Sequence, residues 1–568
     1  MLYQWIVPEK VDPNVISHIS QQFHLHPLVA TVLYNRNIRT DEEIYHFFND
    51  ALDDLFDPFL LDNMETAVAR IISALQSGEK IMIYGDYDVD GVTSVSILYD
   101  SLFRLGGKVM FYIPDRFDDG YGLSESGIQK AGERDASLIV TVDCGTTALK
   151  EVEYAKTLGI DTIICDHHEQ GDRLPDAVAI LNPKLKGSHY PFRELAGCGV
   201  AFKLLQALLE KLGYDKSFAY QYLDLVAIGT AADIVNLTSE NRIFVKYGLK
   251  RISDSPREGV FALMEQVGLL NRQLNVNSIV FNLAPRINAV GRISKAKKAV
   301  HLLTTSSFQQ GRNIAQILEK ENNTRRSIDE VTFKEAEELI AASIDLDEVN
   351  IIILSKKDWH MGVLGIVASR LVEKYKRPVI LISIIDGIGK GSARSVRDVN
   401  ILSHIKLAES LLITYGGHQY AAGLTIAEKH IEEFKNRLIF SAKSEAVLEE
   451  IKPKLYIDSE VSLEQFNADF FKSLKQLGPF GPDNMRPVFT TYGLEIFGRV
   501  DIVGNNHLKT KFRQNGVVLD AIGYNFGDYI NHFNYGGKNI SLSYVIEENN
   551  WNGRTTIQMR IKDFEVAE

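Results

Sequence analysis

The stretch Tyr84-Gly85-Asp86-Tyr87-Asp88-Val89-Asp90-Gly91 places three carboxylates at alternate positions directly after the apolar run Ile81-Met82-Ile83. Carboxylates that close repel one another unless a cation sits among them, so a metal is the economical reading. Two further sets follow, Asp143-Cys144-Gly145 and Asp166-His167-His168, and a fourth acid, Asp233, interrupts the apolar segment Ile228 to Val235. Oxygen ligands with imidazole and no thiolate suit Mn²⁺ or Mg²⁺ better than a structural zinc. Five or six such ligands are more than one catalytic ion with open positions requires. Two ions about 3.5 to 4 Å apart, sharing a bridging carboxylate, would stabilise both the attacking and the leaving oxygen of a phosphoryl displacement. Phosphoester hydrolysis is therefore the leading chemistry.

Plainer readings compete. Asp-x-Asp-x-Asp-Gly also opens a calcium loop, but the twelfth position, which should be a bidentate Glu, is Ile97, and a strand-like run precedes it. Asp88-Val89-Asp90-Gly91-Val92 would also fit a phosphatase of the haloacid dehalogenase type, which leaves the His pair unexplained. A solvated acidic turn is the usual fate of such a cluster. Asp233 alone would ordinarily be a helix cap.

The elements that must position these groups follow from the pattern. Ile81 to Tyr84, Val109 to Ile113, Leu138 to Val142 and Thr162 to Cys165 read as strands. They alternate with helices over Val92 to Leu105, Glu125 to Ala131 and Ala148 to Leu158, which gives βαβ units and a parallel sheet. The three acid-bearing loops each follow a strand of that sheet, so they emerge at one edge, where ligands bind in open α/β folds.

The chain of 568 residues is too long for a single core. Its 45% apolar and 24% charged residues are those of an ordinary globular protein. No long uncharged apolar run and no leader pattern is present, so a soluble cytoplasmic protein is expected, with no membrane partner. Cys144, Cys165 and Cys198 lack CxxC spacing and read as buried small hydrophobes. A formal charge of -12 argues against indiscriminate coating of nucleic acid and leaves room for a local basic groove.

Residues 1–75 read as a helical lead-in, with Thr40 to Glu43 as an N-cap and acidic first turn. Residues 76–310 form the acid-bearing α/β domain. Between Ala284 and Val300 stand Arg286, Arg292, Lys295, Lys297 and Lys298 with no acid, either a solvated face or a phosphate-backbone contact. Residues 311–345 read as a linker helix whose polar middle, Glu319 to Ser327, predicts passage through solvent. Residues 346–450 form a second α/β module, with strands at Val349 to Leu354 and Val379 to Ile384. Its Gly387 to Ser395 and Gly416-Gly417-His418 place glycines beside Arg394, Arg397 and an imidazole, a composition suited to phosphate. Short alternating strands from about Tyr492 to Phe564, within residues 453–568, predict an all-β barrel. As an OB-fold, it would offer Phe489, Tyr492, Phe497, Phe512 and Tyr524 as stacking candidates, most of them necessarily core.

Tyr84 to Gly91, Val142 to Gly145, Asp166 to His168 and Ala232-Asp233, taken in order, resemble the motifs of the DHH phosphoesterase superfamily. With Pro285 to Arg292 (PRINAVGR), Trp359 to Leu371 (WHMGVLGIVASRL), Ser392 to Ser395 (SARS) and Gly416 to Gly423 (GGHQYAAG), nearly the whole chain resembles the RecJ family of 5′ to 3′ exonucleases specific for single-stranded DNA. The resemblance implies a parallel-sheet DHH domain and a DHHA1 domain joined by a long helix, followed by an OB-fold. It implies two divalent cations, Mn²⁺ or Mg²⁺, held by Asp88, Asp90, Asp143, His167 and Asp233, with Asp143 bridging. His168 would face the scissile phosphate and Asp166 would orient its neighbours. Arg116, Arg292, Ser392, Arg394 and His418 would hold the DNA. A monomer, with single-strand-binding protein and a RecQ-type helicase as partners in DNA repair and recombination, is also implied. Tyr84 stands where many superfamily members carry a His, and Asp86 is either a ligand or a loop support. A small-nucleotide phosphodiesterase or pyrophosphatase and a non-catalytic DNA-binding scaffold are the alternatives; the carboxyl-terminal barrel argues against the first and the retained acids against the second.

Overall fold

The computed structural model describes residues 2–115, 120, 122–293, 296–346, 348–396, 399–443, 453–535, 539–551 and 554–566. The chain divides into two compact units, residues 69–180 with 252–450, and residues 1–68 with 181–251 and 451–568.

In the first of these units the predicted βαβ alternation is present. Strands Lys108–Tyr112, Lys80–Gly85, Ala136–Val142 and Asp161–Cys165 lie in that order, each parallel to its neighbour. The residues of the last three are almost all buried, as a sheet covered by helices on both faces requires, while the edge strand Lys108–Tyr112 is half-buried. Helix Val89–Arg104 follows the strand Lys80–Gly85 and is held close to it: a Cβ on Gly85 would lie 2.2 Å from Val95.

Helix Phe308–Ser343 runs 36 residues, and its polar middle meets solvent on one side only, where Lys320, Asn323, Thr324, Arg326 and Ser327 are exposed. Asn322 is wholly buried, Arg286 pairs with Glu319 at 2.7 Å, and Lys298 pairs with Glu321 at 3.2 Å. On the covered side polar side chains face other polar side chains, which sequence periodicity reads as solvent. The same pairs correct the expectation of unopposed charge over Ala284 to Val300, because tertiary structure supplies the acids. Lys295 lies outside the described residues.

The helix leads into a five-stranded mixed sheet ordered Leu412–His418, Ala421–Ala427, Ile388–Arg394, Val379–Ile385, Ile352–Lys357. Only the last pair is parallel. One face packs on helices Ile401–Leu407 and Ile431–Lys443 and the other on helix Met361–Tyr375.

In the other unit, strands Val488–Ile496, His507–Gln514, Val517–Gly523, Arg554–Val566 and Ile540–Trp551 close into a barrel, since Val488–Ile496 pairs with both His507–Gln514 and Ile540–Trp551. Helix Ile530–Tyr535 precedes the strand Ile540–Trp551. That five-strand connectivity is an OB-fold. The amino-terminal lead-in is helical as predicted, over Pro13–Gln22, Pro27–Asn35 and Asp41–Phe48. It also contributes the strand Gln4–Ile6, parallel to Lys454–Tyr456. Asp563 of the barrel accepts from the backbone of Leu2 and Tyr3 and from the Trp5 indole. Ile19, Val29, Leu33 and Ile44 share one apolar core with Phe470, Phe489 and Phe512. Helices Gly197–Lys211 and Ser239–Asp254 complete this unit. Lys203 and Glu240, both wholly buried, meet at 2.5 Å.

Candidate metal centre and phosphate seat

The register of the parallel sheet decides the site. Gly85, Val142 and Cys165 are neighbours across three strands, so the next residues, Asp86, Asp143 and Asp166, leave the sheet side by side. Asp143 is anchored there by its backbone N–H, which donates to the Cys165 carbonyl at 2.9 Å. Its φ of 59° is left-handed, a conformation costly for most residues and tolerated best by Gly, Asn and Asp. Gly91 lets the acidic loop fold back, since a Cβ there would lie 2.5 Å from the Asp86 carbonyl oxygen.

Among the described residues of this unit, two groups of possible ligands form at this rim. Carboxylate oxygens of Asp86, Asp88 and Asp143 lie within 4.8 Å of one another, as do the ligand atoms offered by Asp143, His167 and His168. Asp143 belongs to both. His167 Nε2 stands 3.2 Å from Asp143 and 3.8 Å from Asp90, and all three side chains are buried. Buried carboxylates this close, mixed with imidazole, fit a hard divalent cation. Cys144 lies beside them, but burial, reinforced by the charges of Asp166 and Asp86, pushes its thiol well above the usual range. All three cysteines are buried, as expected.

Asp166 is occupied differently. Its Oδ1 accepts from the backbone of His167 and His168 and meets His168 Nδ1 at 2.7 Å, while Oδ2 accepts from Thr146 N–H. Burial alone would raise its pKa, but the bonds from His168 and Thr146 outweigh it and hold the carboxyl well below the usual range. An ionised Asp166 fixes the proton of His168 on Nδ1 and so fixes the orientation of the ring.

Tyr84 is engaged with the Gly122–Ser124 segment. Its hydroxyl donates to the Gly122 carbonyl at 3.1 Å and accepts from Ser124 N–H at 3.2 Å. Burial raises its pKa far above the usual range, so it is a neutral strut for that loop. Asp233, in the other unit, is the last residue of helix Leu223–Asp233, and Ile234 ends the helix with a φ of 61°. That is the end opposite an N-cap, where the helix dipole disfavours an anion by about 0.3–1 kcal/mol.

The expected phosphate ligands gather on the second module. Arg292 donates to the Gly362 carbonyl at 3.2 Å, in the first turn of helix Met361–Tyr375. One turn on, a Cβ on Gly365 would lie 2.7 Å from Arg394 Nη2 and 3.1 Å from Ser392 Oγ. Arg394 is paired across the sheet with Ala421, and Ala421 with His418, so Arg394 and His418 share a face. Ser392 is likewise in row with Gly423 and Gly416, which leave the floor between them bare. Sequence reasoning does not single out Gly362 and Gly365. Their spacing of three within a helix, where glycine is costly, is the available signal. Arg116 and Arg397 lie outside the described residues. In the barrel, Phe489 and Phe512 are core, whereas Tyr492, Phe497 and Tyr524 are 41%, 43% and 45% exposed.

A parallel sheet with an acid-and-imidazole rim, joined by a helix to a small mixed sheet, defines the DHH/DHHA1 class of proteins. Residues 80–230 match the DHH family N-terminal domain and residues 348–443 the DHHA1 domain. Residues 457–563 match the RecJ OB domain. The chain belongs to the RecJ family. It is 38% identical to the single-stranded-DNA-specific exonuclease RecJ of Bacillus subtilis, over 99% of this chain and 70% of that one. It is 34% identical to the RecJ of Salmonella typhimurium, over 95% of this chain and 96% of that one. A crystal structure of RecJ in complex with Mn²⁺ from Thermus thermophilus superposes with a TM-score of 0.84 at 29% identity, covering 100% of this chain and 80% of that one.

Proposed function

We propose that this protein removes nucleotides from the 5′ end of single-stranded DNA by divalent-metal-assisted phosphodiester hydrolysis. The observation that carries the reading is the in-register emergence of Asp86, Asp143 and Asp166 from adjacent strands, with Asp143 common to two ligand groups. Asp88, Asp90, Asp143, His167 and Asp233 hold two Mn²⁺ or Mg²⁺ ions in this proposal, and Asp86 joins them. The position of Asp233 at a helix end that repels anions supports its pairing with a cation. Bound there, the ions supply an activated water and stabilise charge on the phosphate oxygens.

The chain's own groups do the rest. Asp166 holds His168 through Nδ1, so the other ring nitrogen is turned away from that carboxylate and kept in a fixed orientation. With its side chain 40% exposed, His168 is accessible to the scissile phosphate. Arg292, Arg394, Ser392 and His418 seat phosphates, with Gly416 and Gly423 giving the backbone room for close approach. Tyr492, Phe497 and Tyr524 present aromatic faces to bases on the barrel.

Single-strand-binding protein and a RecQ-type helicase as partners rest on the family resemblance, and a monomeric state and a cytoplasmic location belong to the same proposal. No helix among the described residues is long and apolar enough to cross a membrane. The test is digestion of 5′-labelled and 3′-labelled single strands, and of duplex, with Mn²⁺, with Mg²⁺ and with chelator. Mononucleotides released from the 5′ terminus of single strands only, and only with metal, are expected. Absence of release with either ion sinks the reading; release from the 3′ terminus sinks the polarity alone.

A further inference from the structure

The helix that carries Arg292 has an aromatic at its other end. Residues Ile279–Leu283 form a π-helical turn, closed by the Ala284 N–H donating to the Ile279 carbonyl, and run directly into helix Ala284–Ile293. Ile279, Leu283, Ala284, Ile287, Val290 and Gly291 face inward and are buried. Phe281, Pro285, Asn288 and Arg292, spaced by four, three and four residues, form the less buried stripe, with Phe281 exposed and the other three half-buried. Phe281 is 66% exposed, so it is not core. A π turn inserts a residue into the helical register and recurs at functional sites.

The stripe has a fixed origin. Gly291 packs against the acidic loop so closely that a Cβ would lie 2.6 Å from the Tyr87 carbonyl oxygen. Arg292 is therefore at the catalytic rim, and Phe281 is 292 − 281 = 11 residues away. That is about 16 Å at the helical rise, roughly three to five nucleotides of a single strand. An enzyme that removes terminal nucleotides has one nucleotide on the released side of the scissile bond. A feature this distant meets only the retained strand.

We propose that Phe281 is a stacking platform for a base of the retained strand, several nucleotides downstream of the scissile phosphate. The occupant is single-stranded nucleic acid because the stripe is continuous with Arg292, which the proposed function above places on the phosphates of the same strand. Every base has an apolar face, so such a platform tolerates any sequence. The inference rests on the exonuclease reading above.

Steady-state digestion of oligothymidylates of increasing length, from the dinucleotide upward, tests it with the full-length protein, Phe281→Ala, Phe281→Leu and Phe281→Trp. In the wild type KM falls as strands lengthen enough to reach the platform. Phe281→Ala and Phe281→Leu blunt that fall by on the order of tenfold, and Phe281→Trp restores it. A merely structural role would shift KM equally at all lengths, and that outcome overturns the proposal, as does Leu performing as well as Phe. If the wild type degrades no strand at all, the exonuclease reading fails first and takes this inference with it. If it degrades strands normally and the variants keep the wild-type length dependence, only the platform is wrong.

Discussion

Replacing Asp143 by Asn should make the metal-free protein more stable and nearly inactive. The substitution is conservative for the backbone, because Asn tolerates the left-handed φ of 59° at least as well as Asp. What it removes is a charge within 4.8 Å of Asp86 and of Asp88. At that distance and an effective dielectric of about 20, each like-charge pair costs roughly 3.5 kcal/mol, or about 7 for the two. The folded protein escapes part of this by binding a proton, which at pH 7 costs about 4 kcal/mol for an ordinary Asp. The relief from removing the charge is therefore capped near 4 kcal/mol. Loss of the His167 contact to Asp143, 3.2 Å in the structure, returns about 1 kcal/mol. A net gain of about 1–3 kcal/mol in chelator follows, seen as a rise of a few degrees in the Tm of the transition that includes this sheet. Activity moves the other way. Asp143 belongs to both ligand groups, and a single stabilising group at a reacting centre is worth on the order of 10²–10³, so a loss of about 10⁴ is expected. Thermal unfolding in chelator and across a Mn²⁺ titration, run beside the strand-digestion assay, reads both effects. A variant less stable than wild type in chelator would refute the repulsion argument. A Mn²⁺-induced rise in Tm equal to that of the wild type would show that Asp143 does not hold the ion.

Three further outcomes follow from the geometry. Gly291→Ala drives a Cβ into the Tyr87 carbonyl and should lower kcat/KM on the order of 10²-fold by displacing the acidic loop from Arg292; unchanged kinetics would mean the loop is not fixed by this helix. Tyr84→Phe strands the Gly122 carbonyl and Ser124 N–H, costing about 1–3 kcal/mol in urea unfolding, with Mn²⁺ affinity intact. A tenfold drop in that affinity would place the phenol at the metal after all. Lys203→Met leaves Glu240 charged and buried and should cost about 3–5 kcal/mol, of which a second change, Glu240→Gln, recovers more than half. No recovery in the double variant would mean that Lys203 acts through packing instead.

Much of the site was legible because it is local. Alternation of apolar runs with helical segments is a one-dimensional signal, and it places Asp86, Asp143 and Asp166 each just past a strand end. The sequence does not contain the register that aligns Gly85 with Val142 and Cys165; hydrogen bonding between strands sets it, and with it the meeting of the acids. The same holds for Asp86, undecided by spacing alone and standing with Asp88 and Asp143 in space.

The misreading of the long helix has one physical origin, that polarity does not say what a side chain faces. Glu319, Glu321 and Asn322 look solvated in a linear pattern, yet they answer Arg286 and Lys298 or sit in the interior. Other positions were left open by the sequence and decided by packing: Tyr84, where a His is absent, braces the Gly122 loop, and Phe489 and Phe512 are core while Tyr492 and Phe497 are exposed. Residue type and spacing determined which chemistry the chain can perform. Long-range pairing determined which of those residues are close enough to perform it, because the energy of a charge or a ring depends on neighbours far away along the chain.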